Sequence, residues 1–214
     1  MNSVNLYILC EGTRLDNWVD YQKVLTNSYE KKQLKNAEID TLKRFVNELL
    51  NWGIAIEDLD GFFYGFSIPQ ISKEFDLLKI FENDVVVNIE LKSNDIALDK
   101  IEYQLRKNRY YLSHLKKKIY NFTYVDSGEN GEIYSYDGDK LLKSNIEEIA
   151  QLISLKGTFV KENIERLFKA KDYLISPINT PQLFVEGNYY LTGQQEEIKN
   201  KIINGINNGE HKIW

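Results

Sequence analysis

Three charged residues near the middle of the chain have the types and spacing that metal-dependent phosphoryl chemistry requires. Asp76 lies in the stretch EFDLLKI, and Glu90 and Lys92 end the stretch VVVNIELK. The same Glu-x-Lys spacing starts at Glu30 and at Glu197, but there it falls in polar, helix-like sequence where charges are solvated. Glu90 and Lys92 instead follow an apolar run that is typical of a strand buried on both faces. Because an isolated buried charge is costly, these residues need partners or a metal ion.

Strand register predicts that the two carboxylates face each other. Side chains alternate along a strand, so Glu90 and Lys92 share one face. If the hairpin turns about Asn83, Asp76 lies directly opposite Glu90, with Cβ atoms about 5 Å apart. Like charges this close repel unless a cation lies between them, and paired carboxylates with a backbone carbonyl suit Mg²⁺ or Mn²⁺. Lys92 would then orient or deprotonate a water molecule, or stabilise the transition state. The alternative is a charge cluster in which Lys92 only neutralises the two carboxylates.

A basic helix is predicted directly after this motif, from about Ile96 to Ile119. Between Asp99 and Lys118 it has seven basic and two acidic residues, although the whole chain carries a net charge of −5. Its predicted buried stripe consists of Leu98, Ile101, Leu105, Leu112, Leu115 and Ile119. The adjoining stripe consists of Lys100, Gln104, Lys107 and Tyr111. We assign nucleic-acid binding to Lys100, Arg106, Lys107 and Tyr111. The alternative is a solvated helix face with no ligand.

Hydrophobic periodicity predicts the elements that position these residues. Helical spacing indicates helices at about 15–30 and 37–52, and short aromatic and β-branched runs indicate three strands from Phe62 onward. After the basic helix come two more strands, IYNFTYV and EIYSY. The predicted core is therefore α/β (α+β), with the order αβββαββ and a mixed central sheet of about five strands flanked by helices. Further helices are predicted near 145–155, 161–173 and 191–206.

Composition excludes several other classes of function. The chain has 214 residues with two histidines and a single cysteine, Cys10, which exclude an intramolecular disulfide and a Cys/His zinc site. It contains neither a Walker A nor a GxGxxG sequence, so we expect no ATP hydrolysis by this chain alone. No segment approaches the roughly 20 apolar residues of a membrane span, and no signal peptide is recognisable, so we expect a cytoplasmic protein.

Taken together, these features resemble the PD-(D/E)xK nuclease superfamily, the restriction-endonuclease-like fold of many restriction enzymes and recombination exonucleases. The resemblance covers roughly residues 37–125: a helix, a meander with Asp76 and Glu90-Leu91-Lys92, a basic helix with a glutamine, and a further strand. It implies Mg²⁺ (or Mn²⁺) held by Asp76, Glu90 and the backbone carbonyl of Leu91. It also implies hydrolysis of DNA phosphodiester bonds by a metal-activated water.

The resemblance implies two further active-site residues. Several exonuclease-like members carry a glutamine and, four residues later, a tyrosine on the helix after the motif. Gln104 matches the glutamine, whereas Tyr111 follows it by seven residues. Many members also place an acidic residue on the first core helix, and we assign this role to Glu38, which lies one turn before Leu42 on the inward face. The nominal proline is absent before Asp76, as it is in many members.

The C-terminal part of the sequence predicts a second module. The segment SPINTP, which contains Pro177 and Pro181, is typical of a linker. We therefore divide the chain into a nuclease domain at 1–175 and a linker with a lead-in helix at 176–214. The stretch NYYLTGQQEEIKNKII is similar to the segment before the phosphate loop in bacterial nuclease–ATPase or nuclease–helicase fusions. That similarity implies an ATPase/helicase domain in the same full-length chain and a role in phage defence or DNA repair.

Two other functional interpretations remain open at this stage. One is a catalytically silent nucleic-acid-binding or regulatory module with a nuclease-like fold, which should show no carboxylate-dependent Mn²⁺ site. The other is a structural adaptor that docks a partner through aromatic residues such as Phe63 and Tyr64. The sequence also leaves open homo-oligomerisation and the choice between DNA and RNA.

Overall fold

The computed structural model describes residues 1–27, 36–71, 73–128, 130–155, 157–169, 172–173, 182, 185, 189–191 and 193–207. The chain divides into two compact units, one of Met1–Phe66 with Phe75–Leu167 and one of Ser67–Glu74 with Phe168–Trp214. The predicted linker, with Pro177 and Pro181, lies outside the described residues. The domain boundary at residue 175 therefore stays a prediction.

The described elements come in groups: three helices, three strands, one helix, three strands and two further helices. The helices are α1 (Leu6–Gly12), α2 (Trp18–Thr26), α3 (Asn36–Trp52), α4 (Leu98–Ser113), α5 (Ile146–Ile153) and α6 (Gly193–Asn207), with 3₁₀ turns at Ile56–Leu59 and Ile164–Leu167. The strands are β1 (Phe62–Ile68), β2 (Lys73–Ile80), β3 (Val85–Lys92), β4 (Lys118–Val125), β5 (Glu132–Tyr136) and β6 (Leu141–Ser144). Among the described residues, no helix combines the length and the apolar character required to cross a bilayer.

The strands form one mixed sheet in the order β1-β2-β3-β4-β5-β6. β3 pairs antiparallel with β2 and parallel with β4, and β4, β5 and β6 continue as antiparallel neighbours. A parallel pair needs a crossover connection, and α4 supplies it between β3 and β4. The α/β class and the predicted meander of the first three strands are thus confirmed, and β3 lies inside the sheet as its continuous apolar run indicated.

Several predicted elements have different bounds in the structure. The sheet has six strands instead of about five, because the short and largely exposed stretch LLKS forms β6. The helix predicted at 15–30 begins only at Trp18, and its described part ends at Thr26. The basic helix ends at Ser113 instead of Ile119, since Lys116 adopts a left-handed backbone conformation with φ 54° just before β4. Of the helix predicted at 161–173, the described residues retain the 3₁₀ turn at Ile164–Leu167.

Helices cover the two faces of the sheet differently. The amphipathic helix α3, predicted at 37–52, buries its apolar stripe with Val87 and Ile89 of β3, as part of the large core cluster that also includes residues of α1 and α5. On the other face, Ile101 and Leu105 of α4 form a smaller apolar cluster with Val125. Side chains alternate along β3, so Glu90 faces α4 and not α3.

Candidate active site

The β2–β3 hairpin brings Asp76 to the strand that carries Glu90. Leu77 pairs with Ile89, and Ile80 pairs with Val86. This is the register that places Asp76 opposite Glu90 one step further along the ladder. At that step the backbone N–H of Leu91 donates a hydrogen bond to Asp76 Oδ2 at 2.9 Å. The Asp76 carboxylate is therefore attached to the backbone of β3 immediately beside Glu90.

Glu90 is a buried carboxylate held by two side-chain amides. Only 1% of the residue is exposed. Gln104 donates to its Oε2, and Asn108 donates to its Oε1 at 2.7 Å. Lys92 Nζ lies 3.9 Å from the same Oε2. Hydrogen bonds from amides and a nearby ammonium offset the cost of removing a carboxylate from water, which explains how the end of β3 tolerates this charge.

The spacing on α4 accounts for the amide pair. Gln104 and Asn108 are four residues apart, so they lie one turn apart on the same helix face. Gln104 was assigned to the site from sequence, whereas Asn108 was missed. It occupies the position, four residues after the glutamine, where several exonuclease-like members of the superfamily that the motif resembles carry tyrosine. That spacing, together with its place between Leu105 and Leu112 on the inward side, was the signal that would have identified it.

A layer of buried polar side chains continues from Glu90 beneath α4. Asn88, two residues before Glu90, donates to the side chain of its cross-strand neighbour Asn121 at 2.7 Å. Asn121 in turn donates to the backbone carbonyl of Leu105 at 2.6 Å and so ties α4 to β4. In the described part of the chain, Asn88 Oδ1, Asn108 Oδ1 and Thr123 Oγ1 are buried without a hydrogen-bond partner. Buried polar atoms of this kind are ordinarily satisfied by water, so ordered water is expected in this layer.

The residues assigned to nucleic-acid binding separate into two groups. Lys100 and Arg106 are exposed on α4, where Arg106 lies 3.8 Å from Glu102, and Lys107 is partly buried. Tyr111 is only 1% exposed, so its assignment to a solvent-facing stripe is wrong. The physical reason is helical periodicity: residues seven apart share a face, and Gln104 points inward toward Glu90. Leu98, predicted to be buried, is 53% exposed.

Glu38 makes no hydrogen bond to the other predicted active-site residues within the described ranges. It is exposed in the first turn of α3. The apolar residues of α3 pack with Val87 and Ile89, which point away from the face occupied by Glu90. The structure therefore brings Asp76, Lys92 and Gln104 to the end of β3 that carries Glu90, and the assignment of Glu38 to the active site stays a prediction.

A divalent metal ion fits this site by the kind of donor atoms available. Asp76, Glu90 and the carbonyl of Leu91 make an all-oxygen set of the type Mg²⁺ takes. The Lys92 carbonyl accepts from the N–H of Asp126, which follows β4. Alternation along the strand therefore directs the Leu91 carbonyl toward β2 and Asp76. No group of three or more His, Cys, Asp or Glu side chains that could hold a metal occurs within the described ranges, so the remaining ligands would be backbone, water or substrate oxygens.

Comparison with models of known protein families, with curated proteins and with solved structures found no match for this chain.

Proposed function

We propose that the chain is a metal-dependent nuclease domain with a restriction-endonuclease-like core, which hydrolyses phosphodiester bonds of DNA. The observation that carries the proposal is the buried carboxylate of Glu90. It lies at the end of an internal strand, and both of its oxygens accept hydrogen bonds from amides of α4. Lys92 lies beside it, and Asp76 is attached to the next residue of the strand. A buried charge of this kind lowers the stability of the fold. A role in positioning a ligand or a reacting group explains why the site retains it.

Each residue has a distinct role in the proposed mechanism. Asp76, Glu90 and the Leu91 carbonyl would hold Mg²⁺ (or Mn²⁺). The metal, when bound, supplies charge neutralisation and a water molecule of lowered pKa. Gln104 and Asn108 fix the direction of the Glu90 carboxylate, which keeps the donor set in place. Lys92, with a side chain 23% exposed, can donate to a phosphate oxygen or to the attacking water.

The positive charge of α4 favours a nucleic-acid substrate. Lys100 and Arg106 are exposed on the helix whose other face holds Glu90. Cations beside a site that binds metal and phosphate would attract the nucleic-acid backbone and position it without reading its sequence. We expect this contribution to weaken with increasing salt concentration.

The test is a cleavage assay on the full chain with Mg²⁺ or Mn²⁺, using supercoiled plasmid and single-stranded oligonucleotides. Asp76→Asn, Glu90→Gln and Lys92→Met should each abolish cleavage while circular dichroism shows a native fold. Glu147→Gln, which changes an exposed carboxylate on α5, is the matched control and should cleave normally. Persistent cleavage in all three site variants would refute the assignment.

A catalytically silent nucleic-acid-binding module is the second candidate. The observation that favours it is the lack, within the described residues, of a cluster of three metal-ligating side chains. Titration with Mn²⁺ followed by calorimetry separates the two. A nuclease should bind Mn²⁺ in a manner that Asp76→Asn and Glu90→Gln remove, whereas a silent module should show no such carboxylate-dependent site.

A further inference from the structure

A polar cleft lies across the sheet from Glu90, between α3 and the loop that joins β4 to β5. Its volume is about 240 Å³. One wall is a stripe of α3 formed by Arg44, Asn47, Glu48 and Asn51, whose spacing places them on a single helix face. The other wall is the end of β4 and the following loop. This volume is below the range of about 300–1,000 Å³ that is typical of sites for drug-sized ligands, so the cleft suits one small ring system.

Glu48 presents a fixed hydrogen-bond acceptor to this cleft. The hydroxyl of Tyr124 donates to Glu48 Oε1 at 2.6 Å, and the N–H of Gly131 donates to the same oxygen at 2.9 Å. The other oxygen, Oε2, has no hydrogen-bond partner among the described residues. Burial, followed by the hydrogen bond to Glu48, raises the pKa of Tyr124 far above its usual value, so the phenol remains a donor.

The glycine at position 131 is required for this arrangement. A Cβ at Gly131 would lie 1.9 Å from the ring of Tyr124. Only glycine lets the loop backbone approach closely enough to donate to Glu48. The carboxylate is therefore held from two sides before any ligand arrives, which lowers the entropic cost of binding.

The remaining polar groups indicate an uncharged ligand. Arg44 forms an ion pair with Asp126 at 2.8 Å and also donates to the carbonyl of Gly128. Because the guanidinium of Arg44 is already paired with Asp126, it does not neutralise Glu48. The negative charge of Glu48 therefore makes the cleft unfavourable for phosphate. Asn47 and Asn51 are exposed on either side of Glu48 and add carboxamides that both donate and accept.

The cleft and the candidate active site lie on opposite faces of the sheet but at the same end of two neighbouring parallel strands. Asp126, which lines it, donates its N–H to the carbonyl of Lys92 at 2.8 Å. The cleft therefore lies at the carboxyl ends of β3 and β4, as do Glu90 and Lys92. A nucleic-acid strand that continues from Lys92 past these strand ends would reach the cleft.

We propose that the cleft receives one unpaired nucleobase that bears an exocyclic amino group, with Glu48 Oε2 accepting a hydrogen bond from that group. This inference rests on the proposed function and specifies its substrate: single-stranded or locally opened nucleic acid with adenine, cytosine or guanine next to the scissile phosphate. Carboxylates accept from such amino groups in known base recognition. Thymine has no amino group, and its one ring donor, N3–H, lies between two carbonyl oxygens that a carboxylate repels.

The experiment measures binding of fluorescent oligo-dA, oligo-dC and oligo-dT by anisotropy, with Ca²⁺ replacing Mg²⁺. The native chain should prefer oligo-dA and oligo-dC to oligo-dT by about tenfold, which is within the range of a single good base contact. Glu48→Gln is nearly isosteric, and its carbonyl should keep the bonds from Tyr124 and Gly131. Its NH₂ group then faces the cleft as a donor, so the preference should reverse toward oligo-dT.

Two further variants complete the test. Asn51→Ala removes an exposed carboxamide at little risk to folding and should weaken binding of oligo-dA about fivefold, within the range of one base contact. Glu147→Gln should leave all affinities unchanged. Equal affinity of the native chain for the three oligonucleotides, absence of binding, or an unchanged preference in Glu48→Gln would overturn the inference. Loss of cleavage with an intact base preference would refute only the proposed nuclease activity.

Discussion

A buried lysine on β2 should make the stability of this protein rise at alkaline pH. Lys79 is 2% exposed, and its ammonium donates to the backbone carbonyls of Asp58 at 2.8 Å and of Ile153 at 3.3 Å. Burial, only partly offset by the negative charges of Asp58 and Asp60, lowers the pKa of Lys79 from 10.5 to about 8. At neutral pH the folded state therefore carries the cost of a desolvated cation.

The sign of the effect follows from proton binding. Between about pH 8 and 10.5 the unfolded chain keeps the proton on Lys79 and the folded chain releases it, so the free energy of unfolding rises with pH. A pKa difference of this size corresponds to about 3 kcal/mol. The rings of Phe62, Phe81 and Phe159 lie 5.1–5.3 Å from Nζ and favour the charged form, so about 3 kcal/mol is the upper end of the expected gain.

The assay is urea unfolding at a series of pH values from about 7 to about 11, for the native chain and for Lys79→Met. The difference in unfolding free energy between the two should shift by about 2–3 kcal/mol in favour of the native chain as pH rises. Lys140→Met, which removes an exposed lysine between β5 and β6, should show no such shift. A difference that stays constant with pH would refute the reasoning, because it would mean that Lys79 is not desolvated in the folded state.

Two other predictions concern the buried side chains of the same unit. Asn108→Leu removes a hydrogen bond to the buried carboxylate of Glu90 and should lower the free energy of unfolding by about 2–3 kcal/mol in urea, whereas Asn94→Leu on an exposed turn should cost less than about 0.5 kcal/mol. Equal losses of unfolding free energy in the two variants would show that the hydrogen bond from Asn108 does not stabilise the buried carboxylate of Glu90. Burial raises the pKa of Cys10 to about 12, so native protein should resist iodoacetamide at about pH 8 and react once unfolded. Rapid alkylation of the native chain would contradict the buried position of Cys10.

The β2–β3 register could be predicted because it depends on local features. The polar turn around Asn83 sets which residues oppose each other, and β3 is apolar on both faces. The observed pairing of Leu77 with Ile89 follows that register. The helix at 37–52 could be predicted for the same reason, since one apolar stripe marks its buried face and Gly53 marks its end.

The inward face of α4 was harder to predict because its partners are polar. Hydrophobic periodicity excludes the polar residues Gln104 and Asn108 from the apolar stripe, although Asn108 has the spacing of that stripe, yet both donate to Glu90. Tyr111 was assigned to the surface by the same logic and is buried. A sequence pattern detects burial against apolar neighbours, whereas burial against a polar layer depends on which strands meet beneath the helix.

Local sequence patterns are sufficient to predict the mixed α/β class, the hairpin that aligns Asp76 with the strand of Glu90, and the run of basic residues from Lys100 to Lys118, of which α4 holds only the first four. These depend on contacts between residues close in the chain or on composition. Only contacts of the folded chain show which side chains hold Glu90 and how Glu48 meets Gly131. Those contacts depend on the parallel pairing of β3 with β4 and on the packing of α3 across the sheet. Neither leaves a periodic signal in the sequence, because each joins segments distant along the chain.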